Sequence, residues 1–111
     1  MTKKTILIIL ATLFYVIGYS QTGETVSRLQ KELASATTDT GKINAQISLC
    51  FQYRLGNTDS SLYYGNLALE NSKRVNYYIG QVESMGFMSV TTMQTGNLPK
   101  SLEFGFEALR I

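Results

Sequence analysis

Cys50 is the first side chain to weigh for chemistry, because the chain has no histidine to act as general base or metal ligand. A nucleophilic thiolate needs a base or cation beside it and access to solvent. Cys50 stands instead in the run LCFQY, where a small side chain among apolar and aromatic neighbours serves packing. The segment GNLPKS (Gly96 to Ser101) resembles the end of a phosphate-binding loop, but the glycine before Lys100 is missing and no strand precedes it. Glu70, Glu83, Glu103 and Glu107 lack the spacing of calcium or magnesium ligands and read as solvated helix faces. The pairs Tyr63-Tyr64 and Tyr77-Tyr78 each read as one core ring and one half-exposed ring. No catalytic, cofactor or metal site assembles, so the expectation is a non-enzyme with no cofactor and no metal.

The elements that would position these residues begin with a leader. Lys3 and Lys4 precede an uncharged stretch from Thr5 to Ile17, and the run closes on GYSQ with small residues at Gly18 and Ser20. This pattern describes a secretory signal peptide over 1–20, cleaved between Ser20 and Gln21. Its apolar core is shorter than the ~20 residues of a spanning helix. No cysteine follows the run, which excludes a lipoprotein. The chain is therefore expected to be exported to the periplasm or cell envelope. The remaining 21–111 form one domain in which eight Lys/Arg (ten, less Lys3 and Lys4) meet eight Asp/Glu. A charge near zero gives no electrostatic grip on nucleic acid or anionic lipid.

Beyond the leader the pattern is helical throughout. ETVSRLQKELASA sets Val26, Leu29, Leu33 and Ala36 on one stripe, a leading helix with a linker over 21–41. TTDTG breaks it. A helix over about Lys42 to Leu55 carries Ile43, Ile47, Cys50 and Phe51, and Gly56 ends it in the left-handed conformation. Asn57 or Thr58 caps the next helix, about Asp59 to Lys73. RVNYYIG reads as a longer connection into a helix from Ile79 to Thr95, which Gly96 stops. Asn97 caps the last helix, with Pro99 in its first turn.

Two of these stretches say nearly the same thing forty residues apart. GNTDSSLYYGNLAL from Gly56 and GNLPKSLEFGFEAL from Gly96 share seven of fourteen positions, a fixed period that marks stacked repeats. Short side chains at Ser61, Gly65 and Ala68, and at Ser101, Gly105 and Ala108, fall on one face and let a neighbouring helix approach closely. A helix pair of this kind cannot bury its apolar face alone, so the unit repeats over about 42–78 and 79–111.

This pattern resembles the tetratricopeptide repeat family. Leu49, Cys50 and Tyr53 take its large, small and aromatic slots before Gly56-Asn57. Met88, Ser89 and Thr92 do so before Gly96-Asn97, with Thr92 departing from the aromatic. Ser61, Tyr64 and Ala68, and Ser101, Phe104 and Ala108, supply small-aromatic-small on the second helix. The resemblance covers 42–111 well and 24–41 loosely. The period of about 40 exceeds the family's 34, and the first copy's turn is one residue shorter than the second's. The resemblance implies an all-α stack of antiparallel helix pairs that binds a protein or peptide. Its groove would take Asn44, Ile47, Phe51 and Arg54 from the first copy and Glu83, Gly86, Val90 and Met93 from the second. The order of leader, leading helix and repeats is also similar to the exported input region of bacterial sensor histidine kinases and related regulators. There a membrane helix and a kinase follow, and any membrane contact would come through that segment. The chain reaches Ile111 in mid-pattern, so a truncated repeat stack, self-associating through its uncapped last helix, is a further expectation.

Overall fold

The computed structural model describes the backbone of residues 2–111 and the side chains of 2–10 and 23–111. It is all-helical among these residues, with α1 (Lys3–Ser35), α2 (Asp39–Tyr53), α3 (Thr58–Arg74), α4 (Tyr78–Gln94) and α5 (Leu98–Leu109). Side chains cap three of the helices, each satisfying one of the N–H groups that a helix start leaves open. Thr38 accepts from the Gly41 N–H at 3.1 Å, Asn57 from Ser60 at 3.0 Å and Asn97 from Lys100 at 3.2 Å. Pro99 lies in the first turn of α5, where its missing N–H costs nothing.

The helix α1 runs through both the stretch expected as a leader and the one expected as a leading helix. The cleavage site expected at Ser20–Gln21 involves side chains outside the described residues. Ile6, Leu7, Ile8, Ile9 and Leu10 are exposed, while Leu29 is buried and tethers the second half of α1 to α2. Among the described residues no helix is long and apolar enough to cross a membrane.

Two turns correct the sequence expectation. Gly56 does not adopt the left-handed conformation. Among the described residues the only positive-φ glycine is Gly96, at 80°, and the only such non-glycine residue is Asn76, at 56°. Asn76 and Gly96 end α3 and α4 in the same way. The N–H groups of Tyr77 and Asn97 reach back to the carbonyls of Ser72 and Thr92, at 2.8 and 3.0 Å, closing Schellman turns. At Gly56 the chain closes more tightly, with the Gly56 and Asn57 N–H groups both donating to the Tyr53 carbonyl at 3.2 and 2.9 Å. RVNYYIG is not a long connection either: only Val75, Asn76 and Tyr77 separate α3 from α4. The long period resides in the helices, since α3 and α4 each span 17 residues.

Helix contacts follow chain order. Among the described residues α1 touches α2 alone and α5 touches α4 alone, while α2 also touches α4 and α3 does not meet α5. α2 is thus enclosed by three helices, which is why Leu49 and Ala45 are buried as well as the Ile43–Ile47–Cys50 stripe. One core cluster joins Ile43, Ile47 and Ala68; a second joins Cys50, Leu69, Met85, Met88 and Phe104, and Phe87 packs against both.

Candidate functional site

The two repeats can be superposed through single hydrogen bonds. Ser61 Oγ donates to the Cys50 carbonyl at 2.8 Å, and Ser101 Oγ donates to the Ser89 carbonyl at 2.8 Å. In each copy the second helix thus binds the backbone of the first at its small slot. These pairs are 11 residues apart in the first copy and 12 in the second. That difference of one residue is the shorter first turn, and it explains why Gly96 has room for a Schellman closure and Gly56 does not. Ser61 also meets Thr91 Oγ1 at 2.9 Å, linking the first pair to α4.

Around these bonds the packing residues are unequal. Leu49, Cys50, Ser61, Ala68 and Met88 are fully buried, and Ser101 and Phe104 nearly so. Ser89 and Ala108 are half-buried, and Gly56 and Gly96 are exposed at the turns. Tyr53 stacks on Tyr64 with ring centroids 5.9 Å apart, and Gln30 donates to the Tyr53 hydroxyl at 3.3 Å. Where Tyr53 has its counterpart, Thr92 turns its hydroxyl onto the Met88 carbonyl at 2.8 Å and is buried. Burial pushes the Cys50 thiol pKa up, partly offset by a hydrogen bond with Ser61, so the thiol is held protonated.

Of the eight first-helix residues expected to line a groove, Asn44, Phe51, Arg54, Glu83, Gly86, Val90 and Met93 are exposed or half-buried. Ile47 is not: it is 4% exposed and packs on Ile43 and Ala68, because that side of α2 turns toward α3. Phe51 is half-exposed and meets Phe87 with centroids 5.1 Å apart, the ring contact that joins the two helices. The Arg54 guanidinium lies 3.6 Å above the Phe51 ring and donates to the Phe51 carbonyl at 2.7 Å. Neither ion pair among the described residues, Arg74–Asp39 or Lys100–Glu103, uses Arg54. Asn44 accepts from the Tyr77 hydroxyl at 3.2 Å, so its amide is held by the α3–α4 connection.

On α4, Glu83 and Met93 are exposed and Gly86 and Val90 half-buried. Nothing lies within 4 Å of the position a Cβ on Gly86 would take, leaving a shallow gap. Phe87 belongs with these residues and was missed from sequence, although it stands four residues after Glu83 on the same side of the helix. The contacts set the Phe51 and Phe87 rings together with the Arg54 guanidinium over Phe51. No family model, curated protein or solved structure matches the chain.

Proposed function

We propose that the chain is an exported helical scaffold of tetratricopeptide type that holds a protein or peptide against the α2/α4 face. The observation that carries this reading is the matched pair of serine-to-carbonyl bonds at Ser61–Cys50 and Ser101–Ser89. Two helix pairs joined by the same bond in the same slot are the structural counterpart of the sequence repeat. The contact of α2 with α4, with none between α3 and α5, favours a stack that bends toward the α2/α4 side. A concave face of that kind suits an extended peptide or a partner helix. Export is supported by the exposed apolar residues Ile6, Leu7, Ile9 and Leu10, which contribute nothing to the core.

The experiment is peptide selection on the full chain, followed by calorimetry with variants. A selected peptide should lose at least tenfold in affinity on Met93→Glu or Arg54→Glu and keep its affinity on Leu102→Glu, which alters α5. Binding that ignores the α2/α4 variants, or a selection that enriches nothing, would remove the proposal.

A further inference from the structure

A cut between Ser20 and Gln21 falls inside α1, so the processed chain opens on a glutamine at the start of a helix. The side chains of Gln21 and Thr22 lie outside those described. Beyond them Gly23 and Glu24 are exposed, and a Cβ on Gly23 would meet nothing within 4 Å. Leu29 is the first buried residue. The core therefore leaves the opening turn of the shortened helix bare.

Two physical circumstances meet at such an end. A glutamine that opens a chain carries a nucleophile and an electrophile on one residue. Its α-amine reaches its own side-chain amide carbon through an unstrained five-membered ring, the favourable case for an intramolecular reaction. The free ammonium also stands at the positive end of the helix dipole, where a cation is unfavourable.

We propose that Gln21 becomes a pyroglutamyl residue once the leader is removed, which rests on the proposed export. The neutral α-amine nitrogen attacks Cδ and a lactam N–Cδ bond forms. The bond from Cδ to the side-chain amide nitrogen breaks, and ammonia leaves with the proton the amine gives up. No oxidant, metal or second substrate enters, and the terminal positive charge is lost. The precursor cannot react, because before the cut the Gln21 nitrogen is the amide of the Ser20–Gln21 peptide bond. The mark is thus confined to processed copies. It also denies a free α-amine to aminopeptidases, which would otherwise start on a turn that the core does not cover.

The full chain is expressed with its leader in a bacterium, quenched in acid at harvest and measured by intact mass and N-terminal sequencing. The exported protein should be lighter than a chain of residues 21–111 by one ammonia. Sequencing should be blocked until a pyroglutamyl aminopeptidase is added, and should then begin at Thr22. Gln21→Ala should be cut at the same bond and read from its first residue without that treatment. An exported chain that begins at Gln21 with a free amine would overturn the inference and leave export standing. So would a blocked fraction that is absent at harvest and grows only on storage. An exported chain with any other first residue overturns the inference and the cut site together, and one that keeps Met1 in the membrane overturns export as well.

Discussion

Ser72 Oγ is fully buried and has no hydrogen-bond partner, and it lies where a Cβ on Gly80 of α4 would strike it. A hydroxyl in that position carries a desolvation cost with nothing to offset it. Ser72→Ala should therefore leave stability unchanged or raise it by up to about 1 kcal/mol, measured by urea denaturation. Gly80→Ala should cost about 1–3 kcal/mol, because the new methyl meets Ser72 Oγ and lies 2.7 Å from Tyr77 Cδ2. Combining the two should recover part of that loss. Purely additive effects would mean that the hydroxyl is not what the methyl strikes. Cys50 gives a second test at this scale. Its thiol should react slowly with a maleimide in the native state. Its raised pKa means that only the unfolded chain ionises once pH passes the ordinary thiol value of 9.0. Stability contributed by the protonated thiol is complete below that pH and falls above it. Cys50→Ala should lack this alkaline decline relative to wild type, although it loses contacts with Met88 and Phe104 at every pH.

At the scale of elements, equivalent glycines do different work. Gly65 is pressed between Met88 and Cys50, so Gly65→Ala should destabilise by about 1–3 kcal/mol in thermal or chemical melts. A Cβ on Gly105 would meet only Ser89 Oγ, at an ordinary contact distance of 3.7 Å, so Gly105→Ala should be neutral or stabilising by up to about 1 kcal/mol through helix propensity. The turns diverge likewise: Gly96→Ala is strained by its φ of 80°, whereas Gly56→Ala is not. Reversed rankings would contradict the backbone described above. These divergences also explain what was legible beforehand. Helix order, the caps at Asn57 and Asn97 and the small-slot contacts follow from periodicity and turn residues. The left-handed Asn76 was not legible, because asparagine adopts that conformation only where a helix end demands it, and RVNYYIG contains no glycine before Gly80. Ile47 was misplaced because a single stripe cannot reveal that α2 is enclosed by three helices rather than one. Phe87 was overlooked for the same reason: its role depends on Phe51, 36 residues away.

For the whole molecule, export makes a measurable claim. The processed protein should begin at Gln21 by intact mass, and a chain retaining Met1 in the membrane fraction would defeat it. Loss of residues 1–20 should leave the melting temperature nearly unchanged, because the described side chains there are all exposed.

The order of helix contacts also sets how the molecule opens. Each helix leans on neighbours in chain order, and α5 leans on α4 alone. Among the described residues, opening α5 breaks one interface while opening α2 or α4 breaks three, so amide hydrogens should exchange with solvent earlier in α5 than in α2 and α4. The molecule then behaves less like a single block than like a row of leaning books.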